Sequence, residues 1–197
     1  MTETIVETDI AVVGAGGGGA VLALALAQKG IKTIVLEQAS GPPQGLRGEI
    51  LQPNGQQVLD RLGLLNKLPV ESTRPIRKFH FCRAGGERLC TVDYGELPAP
   101  YNQAVVTLPN VAHHAILDAI QAEPSAALWY GASFVNLLKE GTQVAGLVAK
   151  RGDDDVTIRA KVVVGADGVF SNVRAALGIS ADFHRYPQGY LIAILDS

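Results

Sequence analysis

Residues 8–37 read TDIAVVGAGGGGAVLALALAQKGIKTIVLE, and this stretch decides the fold class. Thr8–Val13 is a short apolar run with β-branched residues, the pattern of a buried strand. Gly14–Gly19 breaks it as a turn. Ala20–Lys29 is rich in strong helix formers and stops at Gly30, and Lys32–Leu36 is a second buried strand. Strand, helix and strand within about thirty residues make a βαβ unit, whose two strands are parallel.

The turn itself is G-x-G-x-x-G, carried by Gly14, Gly16 and Gly19. In a dinucleotide site the first glycine allows the sharp turn out of the strand. The second leaves no side chain where a pyrophosphate approaches the backbone, and the third lets the helix pack close to the sheet. The following helix offers unpaired N–H groups and the positive end of its dipole to the phosphates. Glu37 ends the second strand, where an acid accepts hydrogen bonds from an adenosine ribose and repels a 2′-phosphate, which disfavours NADP there. The motif alone does not separate FAD from NAD.

Further along, Gly41–Gly48 is expected to be a loop, and Pro53–Leu65 a helix broken at Gly63. Ile76–Cys82 and Glu87–Val92 flank Ala84-Gly85-Gly86 as a hairpin, which would set Cys82 opposite Leu89 and Cys90 opposite Phe81, with the thiols on opposite faces and no disulfide. Val105–Leu108 is strand-like, and Asn110 is placed to cap a helix running to Gln121. Leu128–Gly131, Ser133–Leu138, Gln143–Lys150 and Val156–Ala160 read as a meander. Val162–Gly165 is a further buried strand, Ser171–Leu177 a short helix ended by Gly178, and Leu191–Leu195 a last strand. Asp153-Asp154-Asp155 reads as a solvated hairpin tip and Trp129 as core.

Val162–Gly178, VVVGADGVFSNVRAALG, repeats the strand–turn–helix pattern. A carboxylate at the carboxyl end of a buried strand, here Asp167, faces the crevice where α/β sheets bind ligands, and Gly168 allows close backbone approach. An Asp in such a turn also bonds its own loop, and spacing leaves both readings open.

Composition narrows the function classes. The chain has 197 residues, 47% hydrophobic and 18% charged, with a net charge of −2. The charged share is below the usual quarter or so, and the apolar content supports a packed core rather than a disordered tail. With no basic block, a nucleic-acid surface is not expected. Ile10–Ala27 carries no charge over 18 residues, the lower edge of a membrane span, but its glycines suit strand–turn–helix better. Glu3, Glu7 and Asp9 precede any Lys or Arg, unlike a secretory leader, so a cytoplasmic location is expected. His80, His113, His114 and His184 lack metal-ligand spacing, so no metal is expected. No G-x-S-x-G elbow occurs.

Taken in order, GAGGGG with Glu37, RGEILQPNG at Arg47–Gly55 and GADGVFSNVR at Gly165–Arg174 resemble the FAD-dependent aromatic hydroxylases. These flavoprotein monooxygenases include the para-hydroxybenzoate and ubiquinone-biosynthesis hydroxylases. The resemblance runs from about Asp9 to Gly178, and its Asp-Gly segment is the specific part. It implies a Rossmann-like α/β FAD-binding fold of the glutathione-reductase type, with an antiparallel β-meander and the start of a substrate-domain sheet. Residues 1–180 would form the FAD-binding domain, with 73–108 contributing to the substrate side and 181–197 starting the substrate domain. The AMP half of FAD would lie at Gly14, Gly16, Gly19 and Glu37, and Arg47 near the pyrophosphate and transient NAD(P)H. Asn110 would lie near the flavin, and Asp167 and Gly168 would contact FAD. The implied activity is NAD(P)H-driven hydroxylation of an aromatic or quinone-like small molecule. The flavin does the hard chemistry, so no catalytic acid or base is assigned. The family is about twice this length and carries a downstream Gly-Asp segment that does not follow Gly178. The chain therefore reads as an amino-terminal half, with a carboxyl-terminal half or second chain as expected partner, and a homodimer as another. Two alternatives accompany this reading: a flavin reductase or dehydrogenase without oxygen insertion, and a non-catalytic FAD-binding half.

Overall fold

The computed structural model describes residues 4–44, 50–108 and 110–189. Strand β1 (Thr4–Val13), helix α1 (Gly17–Ala27) and strand β2 (Thr33–Glu37) form the expected βαβ unit. The strands are parallel, with Ile10 opposite Thr33 and Val13 opposite Leu36. A peripheral section follows: β3 (Ile50–Leu51), α2 (Pro53–Arg61), β4 (Thr73–Ile76), β5 (Lys78–Cys82), β6 (Arg88–Asp93) and β7 (Ala104–Thr107). It makes a three-stranded sheet in the order β3-β7-β4 and a separate β5-β6 hairpin. Helix α2 stops at Arg61, short of the expected Leu65, and Gly63 follows with φ +70.

The chain then returns to the main body through α3 (Val111–Ala122), β8 (Ala126–Tyr130), β9 (Ala132–Glu140), β10 (Gln143–Arg151), β11 (Asp154–Gly165) and α4 (Asn172–Ala176). The main sheet has six strands in the order β8-β2-β1-β11-β10-β9. The first four run parallel, and β10 and β9 are antiparallel.

This arrangement corrects the expected meander in two places. The run at Leu128–Gly131 is not its first strand. As β8 it pairs in parallel with β2, Leu128 opposite Val35, because the α3 crossover returns the chain in the direction of β2. The segments Val156–Ala160 and Val162–Gly165 are one continuous β11. Lys161 is the residue between the two expected segments. Its side chain is exposed and its ammonium meets Asp9 Oδ1 at 2.6 Å, so the strand passes through it with the charge in solvent. Pairing with β11 also explains why β1 starts at Thr4 rather than Thr8, since Thr4 lies opposite Val156.

Alternate residues of the central strands feed two cores. Val12 and Val35 face α1 and α3, packing with Ala20, Leu24, Leu117 and Ile120. Ala11, Val13, Ile34 and Leu36 face the other side with Leu147, Ala149 and Ile158. Burial on both faces is why these strands read as unbroken apolar runs. Each large side chain fully enclosed here contributes about 1.5–3 kcal/mol.

In the β5-β6 hairpin Phe81 pairs with Cys90 as expected, but Cys82 pairs with Arg88 rather than Leu89 because the register shifts between Phe81 and Cys82. Both cysteines are free and exposed. Trp129 packs against the second core, with the Arg151 guanidinium 4.8 Å from its ring centre. The expected strand at Leu191–Leu195 lies outside the described residues. No helix among the described residues is long and apolar enough to cross a membrane.

Candidate functional site

Because β1 and β11 are parallel neighbours with Val13 opposite Gly165, the turns that follow them leave the sheet side by side. The Ala166 N–H donates to the Val13 carbonyl at 2.8 Å. A Cβ on Gly14 would lie 2.5 Å from the Ala166 carbonyl oxygen and 3.0 Å from the Asp167 Cα, and Gly14 itself has φ +99. A Cβ on Gly19 would lie 2.0 Å from the Gly14 carbonyl oxygen. Gly14 and Gly19 are therefore required by the protein's own packing: the first seats one turn on the other, and the second seats α1 on the turn.

Gly16 serves differently. A Cβ on Gly16, Gly17 or Gly18 would meet nothing within 4 Å. Gly16 is the N-cap of α1, no side chain bonds to that helix start as a cap, and no acidic residue lies in its first turn. The result is an open cradle at the positive end of an eleven-residue helix, which suits an anionic group.

Glu37 stands at the rim of this cradle. Its Oε2 accepts from the Ala15 N–H at 3.1 Å and its Oε1 accepts from the Ala39 N–H at 2.9 Å. Each carboxylate oxygen has a second lone pair for another donor. The next peptide, Ala15–Gly16, is also held, since the His113 Nε2 lies 2.7 Å from the Ala15 carbonyl. A carbonyl only accepts, so Nε2 is the protonated nitrogen. His114 reaches elsewhere, its Nε2 lying 2.9 Å from the Pro43 carbonyl. Along the sequence both histidines are considered only as metal ligands, and they lack the spacing for it. Nothing in the local pattern signals a contact between residues 98 positions apart.

In the second turn, Asp167 Oδ1 accepts from Ser171 Oγ at 2.5 Å, and Oδ2 accepts from the N–H groups of Asn172 and Val173 at 2.6 and 3.2 Å. Ser171 Oγ in turn accepts from the Arg174 N–H at 3.0 Å. Burial opposes the charge on Asp167, but the hydrogen bonds from Ser171, Val173 and Asn172 outweigh it and hold the carboxyl below the usual carboxylate range. The side chain thus bonds its own loop and the start of α4, one of the two readings left open. Gly168 follows with φ +86.

Gly14, Gly16, Gly19, Glu37, Asp167 and Gly168 are thereby gathered at one end of the sheet. Asn110 is buried and immediately precedes α3, but it has φ 63 and makes no side-chain cap, which corrects the expected capping role. The left-handed backbone at this position replaces the extended geometry that an N-cap side chain needs. Arg47 lies outside the described residues. Among the described residues no group of three or more His, Cys, Asp or Glu could hold a metal ion. A hollow of about 380 Å³ lined by Glu7, Glu140, Arg159 and Lys161 contains none of the expected site residues. Its cations face Glu140 and Asp9. The open cradle, the helix start and the Glu37 carboxylate fit the pyrophosphate and ribose of FAD.

Residues 7–196 match a family whose description is FAD binding domain. The chain is 36% identical over 179 residues to 6-methylpretetramide 4-monooxygenase of Streptomyces rimosus, covering 89% of this chain and 42% of that protein. It is 31% identical over 183 residues to 6-hydroxynicotinate 3-monooxygenase of Pseudomonas fluorescens, covering 92% and 46%. In fold it is similar to the crystal structure of p-nitrophenol 4-monooxygenase PnpA from Pseudomonas putida DLL-E4. The TM-score is 0.81 at 24% identity, over 91% of this chain and 45% of that one. The chain spans less than half the length of these relatives.

Proposed function

The chain belongs to the FAD-binding-domain family, and from that premise we propose that it is the cofactor-holding part of an FAD-dependent, NAD(P)H-driven monooxygenase. The substrate class is a small aromatic or quinone-like molecule. The observation that carries this reading is the open cradle at Gly16–Gly18, uncapped by any side chain and bordered by Glu37.

In this reading the N–H groups at the start of α1 hold the pyrophosphate, and the helix dipole favours its charge. Glu37 accepts from the adenosine ribose with the lone pairs left over from Ala15 and Ala39. The Asp167–Gly168 turn, braced against Gly14, forms the adjoining wall. Arg47 and Asn110 are assigned to the same cofactor by the family resemblance. When bound, FAD supplies the redox chemistry that passes electrons from NAD(P)H to O₂ and oxygen to an electron-rich ring. The chain's own contribution is to bind, orient and keep water from that chemistry. Residues 1–180 are assigned to the cofactor domain, 73–108 to the substrate side and 181–197 to the beginning of a substrate domain. A cytoplasmic location accompanies this assignment, with a carboxyl-terminal half or second chain completing the substrate side.

The test is an absorbance spectrum of the purified chain, followed by identification of the cofactor released on denaturation. Flavin bands and released FAD are expected. A colourless chain that takes up no added FAD overturns the cofactor assignment. Substrate-stimulated NAD(P)H consumption that requires O₂ is expected of the complete enzyme, and consumption without O₂ would instead support a reductase.

A further inference from the structure

We propose that His113 is a positioning residue for the cofactor cradle, a role that rests on the FAD reading above. Ala15 lies between Gly14 and Gly16 and joins two successive peptides of the turn. Its N–H is taken by Glu37 at 3.1 Å and its carbonyl by His113 at 2.7 Å. Ala15 is 2% exposed, so both of its polar groups are met by protein rather than by open solvent. The Glu37 contact holds the Gly14–Ala15 peptide, and the His113 contact holds the Ala15–Gly16 peptide, the one that leads directly into Gly16. The orientation of that peptide sets the direction of the next N–H groups, which open the cradle at the start of α1.

The surroundings make His113 the element that delivers this constraint from outside the βαβ unit. Helix α3 packs on α1 through Ile116, Leu117 and Ile120 in the first core. His113 stands on the first turn of α3, and this helix is thus a rigid mount for the imidazole. The cradle has no side chain of its own to hold it, since the residues from Gly16 to Gly19 are all glycine. Four successive glycines carry a high conformational entropy. A hydrogen bond just before them pre-organises the backbone for the anion, so FAD binding loses less entropy when it is in place.

The experiment is a fluorescence titration of the apo chain with FAD, comparing wild type, His113→Gln, His113→Asn and His113→Leu, each checked for its thermal midpoint without FAD. Gln carries an amide nitrogen at the position of Nε2, whereas the Asn nitrogen matches Nδ1 and falls short of Ala15. The Gln variant is expected within threefold of wild type, and the Asn and Leu variants about tenfold weaker. His114→Leu, which loses only the contact to Pro43, is expected to bind FAD within threefold of wild type. Should the Leu variant not fold, the Gln and Asn pair decides. Wild-type affinity in the Asn variant, or an equal loss in the Gln and Asn variants, overturns the positioning role while leaving the cofactor reading intact. A wild-type chain that takes up no FAD overturns the cofactor reading and this role with it.

Discussion

After β1 the chain turns through Gly14–Gly19 into the eleven-residue α1, and after β11 it turns through Asp167 and Gly168 into the five-residue α4. The strands are parallel neighbours, so the two turns sit against each other, yet their helix starts are satisfied in opposite ways. The second turn is self-contained: Asp167 and Ser171 accept from the N–H groups of Asn172, Val173 and Arg174. The first contains no capping side chain and is held from outside, by Glu37 of β2 and His113 of α3. A helix start capped by its own residues has no donors left for a ligand, and one held at a distance keeps them open. This difference, more than the glycine count, is what supports the proposal of an anion at α1.

The largest effect is expected from Gly14→Ala, which would force a Cβ to 2.5 Å from the Ala166 carbonyl at φ +99 and separate the two turns. A loss of about 4 kcal/mol is expected from backbone strain and overpacking together, lowering the thermal midpoint by about 10 °C. A midpoint within 3 °C of wild type would mean the turns do not depend on each other. Glu37→Ala should weaken FAD binding by about 1.5–3 kcal/mol, the value of a charged hydrogen bond, as read by titration calorimetry. Unchanged affinity removes Glu37 from the ribose site.

Asp167→Ala tests the self-contained turn and should cost about 1–2 kcal/mol in urea unfolding, as a lost cap does. Its acid dependence has a definite sign. The folded carboxyl is held below its ordinary value, so its stabilisation is complete above the unfolded pKa of about 3.9 and disappears as pH falls through the folded value. The gap between wild type and Asp167→Ala should be constant from pH 5 to 7 and narrow below about pH 4. A gap that widens in acid would contradict the hydrogen-bond assignment. The smallest effect on folding is expected of Gly16→Ala, whose Cβ enters open space. Its unfolding midpoint should stay within about 0.5 kcal/mol of wild type while FAD affinity falls, since the methyl occupies the cradle. Equal FAD affinity would show that the cradle is not the pyrophosphate site.

Much of this comparison is legible along the chain. The β1–α1–β2 unit follows from apolar runs interrupted by glycine, and its register agrees with the expected parallel pairing. Ser171 is recognisable as a cap because its role is local. Legibility fails where a residue's neighbours come from elsewhere. Trp129 and its strand look the same whether they pair with β2 or with β9, and only the α3 crossover decides. Val156–Ala160 and Val162–Gly165 look like two strands until their shared pairing with β1 shows one. Asn110 has the right residue type for a cap, but its φ of 63 takes it out of the geometry a side-chain cap needs.

The sequence by itself determined the class of the fold, the glycine turn, the acid at the end of the second strand and the resemblance to FAD-dependent hydroxylases. These are properties of short segments, governed by backbone sterics and by the periodicity of apolar residues. Only the tertiary structure decided that β11 is a single strand beside β1, that the two turns brace each other, and that His113 holds Ala15. Those features depend on pairs far apart along the chain, and each pair is chosen by packing, which no local pattern encodes.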